Sequence, residues 1–516
     1  MARSYKSLRK NNVGLLQAGM AAGGMGGFGP SGLCKSQRPN GTHNGTHNGT
    51  QFFFMGYTPE THNSNSVEAE RHGKACSTYA RKIQPTEVAE VVRRYDWTID
   101  TYYDRYKADI DLRDMKYYVK NSQDNVYVCL ENANLGASAG VQSKYEPTGK
   151  SSVPFRTTDG YMWKYLYSID RELKDFLKTV NSVDYMPIKV IDYRDARGSN
   201  VGSTNRAQYN VERQLGGKIV SATIDLSDTI RFATDSPSIT VVGNGNKTAT
   251  VSLSVNGTYV NGISVTDPGS GYDYATVRLN DTPLTHTASE VEAKIQINIS
   301  PHNSRCTYVP ANSYFYVEKV MYNVRIDTAD LSSAVRQKVF NFYGVSKNYL
   351  LNKPNVDIFA GDELVLPGIK KNYRLSEKML VMGTTAASVY PPGTFDYGTS
   401  TPTFNVGDGI TDGKDINHQA LISFFGRPNG YTGVNQAFIE ITRETGIGGT
   451  GQWKNTNYFF KGFDVTGGTR YYNVQSSFAT ADIRRTSGEV LYINYLDSDL
   501  TMANELVSNF VFLQEV

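Results

Sequence analysis

Directly after an Asp159-Gly160 step, Tyr161, Trp163, Tyr165 and Tyr167 alternate with Met162, Lys164, Leu166 and Ser168. Side chains of period two go to opposite faces of an extended strand, so this stretch puts four rings on one face of a sheet. Such a face has three uses: an exposed sugar-binding platform, a hydrophobic core, or a surface buried against another chain. The pattern is repeated nearby. MKYYVKN (115–121) and DNVYVCLEN (124–132) read as a hairpin turning at 121–125, with Val126, Val128 and Leu130 on one face and Tyr127 and Cys129 on the other. The chain holds 35 tyrosines, which favour strands and interfaces, and 47 glycines, enough for many turns. The expected fold class is mainly β: several β-sandwich-like domains, a few short helices and an inserted small all-β domain.

At 516 residues the chain exceeds one hydrophobic core. Residues 1–50 are rich in Gly, Asn and Thr and carry the tandem GTHNGTHNGT, a composition that buries too little apolar area to fold alone. A first β-rich domain is expected over 51–204. Short β runs separated by NG, NGT and PGSG turns mark the insert at 205–304. A second β-rich domain is expected over 305–516, its last strands returning to the core. TQFFFMGY, NSYFYVEKVMYNVRI, GDELVLPG, QAFIEITRE, TNYFFKGFDV, GEVLYINYL and ELVSNFVFL read as strands, and 391–415 as a long turn-rich loop. Three helices are predicted: PTEVAEVVRR (85–94), opened by Pro85 with Val88, Val91 and Val92 at helical spacing; RELKDFLKTV (171–180), capped by Asp170; and SSAVRQKVFNFYGV (332–345).

Fifty-three basic and 50 acidic residues give a net charge of +3, with no run of five or six like charges, which argues against a nucleic-acid partner. No apolar stretch reaches the length of a membrane span, and the basic N-terminus is interrupted at Gln17 before any strong apolar run, so neither membrane insertion nor a secretory signal is expected. Cys34, Cys76, Cys129 and Cys306 are widely spaced and read as free thiols of a reducing compartment. GFGPSG (27–32) fits a dinucleotide fingerprint by letter, but no strand precedes it and Pro30 removes an amide. GKSS (149–152) has Lys144 where a phosphate loop needs glycine. His43, His47, His62 and His72 lack a helix that would present the first two together, and the Asn40, Asn44 and Asn48 sequons need a secretory route. No catalytic motif, cofactor site or metal site is expected.

Four segments in order resemble a known family. RRYDWTIDTYYDRY (93–106), NVYVCLEN, TTDGYMWKYLYSI and ADIRRTSGEVLYINY (481–495) are similar to segments of the baseplate wedge protein of T-even-like contractile-tailed bacteriophages. The residues that carry the likeness are Arg93, Arg94, Asp96, Trp97, Tyr127, Cys129, Asp159, Gly160, Tyr161, Trp163, Tyr165, Ser487, Gly488, Glu489 and Tyr492. Tyr95 is inserted into the first motif, and Asn494-Tyr495-Leu496 stands where the family has an acidic-Asn-Arg run. The likeness covers roughly 50–200 and 470–516; the glycine-rich arm and the β insert have no counterpart in shorter members. The resemblance implies a virion structural protein and no catalysis. Two copies would associate in each wedge, touch the other wedge proteins and join a sixfold tail baseplate assembled in the bacterial cytoplasm. Under it the aromatic strand is core. The competing expectation is a tail-associated carbohydrate-binding or depolymerising protein, with exposed rings at Trp163 or on the 237–279 stretch and a cleft with paired carboxylates.

Overall fold

The computed structural model describes residues 51–59, 67–107, 111–132, 141–191, 202–301, 311–317, 319–331, 333–347, 349–351, 372–386, 395–397, 405–412, 419–426, 436–445, 459–461, 471–479, 481–484, 487–502 and 507–515. The fold is mainly β. Among the described residues it falls into two compact units, one from Val88–Asn323 and Val511–Val516, the other from Gly45–Glu87 and Val324–Phe510. These units cut across the compositional boundaries. The 51–59 and 67–87 segments sit with the C-terminal half of the chain, and the insert sits with the 88–204 segment.

In the first unit, the aromatic strand Tyr161–Ser168 lies inside a four-stranded antiparallel sheet. Its order is Tyr118–Lys120, Asn125–Asn132, Tyr161–Ser168, Phe155–Arg156. The hairpin is formed as expected: Asn121 Oδ1 accepts the amides of Gln123 and Asn125, and Asp124 takes the left-handed conformation the turn needs, at φ 58°. Both faces of the aromatic strand are covered, and only Met162 is part-exposed. Tyr127 pairs with Tyr165 and Cys129 with Trp163 across the ladder, so the expected ring face is continuous over two strands.

A second sheet has the order Val507–Glu515, Lys319–Asp327, Val88–Arg93, Val183–Pro187, Lys178–Val180. It corrects two predicted helices. PTEVAEVVRR makes one 3-10 turn, Pro85–Glu87, and then becomes the interior strand Val88–Arg93. Its β-branched valines pair on both sides with strands far away in sequence, and that pairing outweighs their helical spacing. RELKDFLKTV is a 3-10 helix over Arg171–Phe176 followed by the strand Lys178–Val180. Asp170 makes no side-chain cap; its carboxylate pairs with Lys189 at 2.5 Å instead.

The insert consists of three antiparallel ladders: Ile219–Ile224 with Ile295–Ile299, Ile239–Gly243 with Ala275–Leu279, and Thr250–Asn256 with Tyr259–Asp267. It is not all-β. Ala288–Lys294 is helical, with Thr287 and Glu290 capping each other's backbone amides, and a helix over Ser203–Glu212 precedes the first ladder. Its core of Ile, Val, Leu and Ala holds two aromatic rings, Phe232 and Tyr272.

In the second unit, Gln51–Gly56 lies between Ser77–Lys82 and Val339–Lys347, with Asn372–Arg374 and Glu489–Thr501 at the edges. Every residue of Gln51–Gly56 is buried. The predicted helix at 332–345 shrinks to one turn, Ser333–Arg336, and the rest is the strand Val339–Lys347. Leu350–Leu351 pairs with Ile483–Arg484, and a larger sheet of this unit closes on itself. Glu377–Ala386 pairs with Gln436–Thr445 on one side and Tyr471–Ala479 on the other, and Gln419–Gly426, Gly409–Asp412 and Phe459–Lys461 complete a ring of six antiparallel strands. Lys338 and Glu440 form a buried ion pair at 2.5 Å, and Ser376 also donates to Glu440.

GFGPSG, His43, His47, His62, the three sequons, Cys34, Cys306 and GDELVLPG lie outside the described residues.

Candidate docking surface

Two chain segments meet at one end of the aromatic sheet. Asp100 N donates to Ser143 O at 2.8 Å and Ser143 N to Thr101 O at 2.9 Å, so 97–103 and 141–145 run as a short antiparallel pair. Large apolar residues stand out from this pair. Ile99 is 61% exposed, Tyr102 56%, Tyr145 51% and Val141 40%, so two paired short segments carry four exposed large apolar side chains. Lys144 and Asp100, on the same two segments, are exposed and 3.6 Å apart.

The residues that present this surface are those of the sequence motifs. Asp159 is the main brace. Its Oδ2 accepts the amides of Lys144 at 2.7 Å and Tyr145 at 3.1 Å and the Ser143 hydroxyl at 3.2 Å; its Oδ1 accepts Thr157 Oγ1 and the Tyr161 amide. Burial by itself would raise the Asp159 pKa, but these donors outweigh it and hold the carboxyl below its ordinary value. Gly160 follows at φ 89°, which completes the turn into the aromatic strand. The Tyr161 hydroxyl donates to Val141 O and accepts the Tyr103 amide at 3.3 Å, tying both segments to the sheet. Trp97 Nε1 donates to Ser143 Oγ at 3.1 Å, and its amide donates to Lys120 O at 2.8 Å.

Beneath lies the packed floor. Trp163 is fully buried, stacked on Tyr161 at 5.6 Å with 13° between planes, and met edge-on by Tyr103 at 5.7 Å. Trp163 is therefore core and offers no sugar platform. Tyr165 meets Tyr127 edge-to-face and shares a hydrogen bond with Ser168 at 2.8 Å. The Tyr127 hydroxyl donates to Gly149 O at 2.7 Å. Burial pushes the Cys129 thiol pKa far up, which leaves it an unreactive packing group.

Arg94 and Asp96 brace the segment entering this surface. Asp96 pairs with Arg94 at 3.1 Å and Lys120 at 3.0 Å, and Arg94 reaches Asp184 at 3.4 Å. The inserted Tyr95 packs its ring on Tyr118 at 5.3 Å. Arg93 is exposed and opens onto a separate cleft of about 520 Å³, walled by Tyr117, Tyr118, Tyr185 and Tyr316, with Arg113, Lys319, Asp111 and Asp114 around it. Ser487, Gly488, Glu489 and Tyr492 belong to the other unit. There the Ser487 amide donates to Arg484 O, Gly488 sits at φ 80°, Glu489 pairs with Lys347 at 3.0 Å and Tyr492 lies beside Tyr343.

Sequence reasoning missed Ser143, Tyr103, Ile99, Tyr102, Val141 and Tyr145. Their meeting depends on a long-range bridge that no local pattern announces. Among the described residues no group of three or more His, Cys, Asp or Glu could hold a metal, and no helix is long and apolar enough to cross a membrane. Cys76 and Cys129 are free and buried. No protein-family model and no curated protein matches the chain.

Proposed function

We propose that the chain is a structural subunit of a phage contractile-tail baseplate wedge. It acts by assembly and by passing on baseplate rearrangement through rigid-body shifts at its contacts. The observation that carries this reading is the braced surface of Ile99, Tyr102, Val141 and Tyr145. Apolar side chains beside charged ones, held on a hydrogen-bonded frame, are how a subunit offers a contact at small ordering cost. Its occupant in this reading is a second copy of the chain. The same two segments carry Lys144 and Asp100 together, so a twofold arrangement sets the cation of each copy against the carboxylate of the other.

The test is light scattering on the purified full chain, alone and with candidate wedge neighbours. The expected result is a dimer that enters a larger complex, and a monomer when Tyr145→Lys is combined with Ile99→Lys. A dimer untouched by both substitutions removes this surface from the contact. A second reading, carbohydrate binding, is favoured by Tyr274, 61% exposed on the insert. Trimer mass with retention on host polysaccharide would favour it.

A further inference from the structure

Among the described residues, the cleft beside Arg93 has a charge pattern left incomplete. Three cations and two carboxylates line it. Arg113 and Asp111 satisfy each other: Nε and Nη2 of Arg113 reach both carboxylate oxygens, at 2.6–3.0 Å. Arg93 and Lys319 have no carboxylate within ion-pair distance among the described residues. The Tyr95 phenol lies beside the Arg93 side chain, and Asp114 acts on it only through its field. The Lys319 ammonium sits 5.7 Å from the centre of the Tyr185 ring. A cation that faces a ring rather than a carboxylate keeps its full charge for an incoming anion.

The tyrosines narrow the class of ligand. Arg113 lies over the Tyr316 ring at 5.2 Å, as Lys319 does over Tyr185. A saccharide stacks on a ring face, and on these two rings a face is already occupied by a cation. An anion carried on a flexible chain needs no free ring face. It needs cations in a concave site of restricted solvent, and a volume of about 520 Å³ lies in the range of ordinary ligand sites.

We infer that this cleft binds an acidic peptide segment of a partner protein, its carboxylates set between Arg93 and Lys319. The inference does not depend on the assembly role, because the cleft is separate from the Ile99 and Tyr145 surface.

The experiment is fluorescence anisotropy on the full chain with a labelled peptide in which aspartate and glutamate alternate with leucine. Its control replaces the carboxylates by amides. The acidic peptide should bind and the control should not. Raising salt to about 1 M, where charges are screened beyond about 3 Å, should abolish binding. Arg93→Gln and Lys319→Gln should each weaken it about fivefold, and Asp114→Asn should strengthen it by up to about fivefold. A gain in Asp114→Asn cannot come from misfolding, which keeps the test decisive. Equal binding of both peptides, binding indifferent to Arg93→Gln and Lys319→Gln, no binding up to about 1 mM, or capture of polygalacturonate but not peptide would each overturn it. Light scattering on the same Arg93→Gln sample reports the dimer separately.

Discussion

The Asp159 carboxylate accepts the Lys144 amide at 2.7 Å, so a turn that starts the aromatic strand also fixes a loop fifteen residues earlier. Asp159→Asn keeps the shape but weakens charge-assisted bonds, and should cost about 1–3 kcal/mol in urea unfolding. The carboxyl is held below its ordinary 3.8, so its contribution is full above that value and is lost as pH falls through the lower folded value. Hydrogen exchange at the Lys144 and Tyr145 amides should speed up in the variant at neutral pH. Unchanged exchange would remove Asp159 as the brace.

Lys164 interrupts the aromatic strand with a buried ammonium. Among the described residues it donates to Ser152 O alone, at 2.9 Å, and burial, aided by the nearby Lys218 charge, lowers its pKa from 10.5 to about 8. Between those values the unfolded chain holds the proton and the folded chain does not, so stability from this group rises with pH across that window. Lys164→Met should therefore stabilise by about 2–3 kcal/mol at pH 7, and the gain should shrink as pH approaches 10.5. The readout is the difference in unfolding free energy between variant and parent. A difference that is flat with pH would contradict the buried charge.

Removing one member of the Lys338–Glu440 pair leaves a buried charge without its counterion. Burial tends to raise the Glu440 pKa, yet Lys338 and Ser376 together hold it below its ordinary value. Glu440→Gln should cost about 3–5 kcal/mol, while Lys338→Met with Glu440→Met should cost less than the two single changes summed. Additive single and double variants would show that the two do not interact.

Gly488 opens the last motif at φ 80°, and a Cβ there would come within 2.6 Å of Lys347 O. Gly149 has a similar φ of 90° but open space around it. Gly149→Ala should lose about 1 kcal/mol from backbone strain alone, and Gly488→Ala clearly more, because the backbone must also shift. Equal melting temperatures for the two variants would rule out the steric part.

The local grammar of this chain was legible where neighbours in sequence are neighbours in space. The 115–132 hairpin, the ring alternation from Tyr161 to Tyr167 and the insert's Thr250–Asn256 and Tyr259–Asp267 hairpin depend on contacts close in sequence. Val88–Arg93 was misread because three valines at helical spacing also suit a buried strand, and the deciding partners, Val183–Pro187 and Lys319–Asp327, are remote. Asp159-Gly160 announced a turn without announcing Ser143, Lys144 and Tyr145. The Ile99 and Tyr145 surface was illegible for the same reason: whether an apolar loop residue is covered depends on chain that no window contains.

The Phe52-Phe53-Phe54 run has a consequence in time. Its register partners include Gly344 and Val345, which leave the ribosome nearly three hundred residues later. At about 5–20 residues per second that delay lasts about 15–60 s. Throughout it, three phenylalanines and a row of open amides have no sheet to complete on that side, while residues 88–323 can already fold. Efficient production of this protein thus depends on what shields a sticky N-terminal strand during translation, and slowing synthesis should lower the soluble yield where co-expressed holdase chaperones restore it.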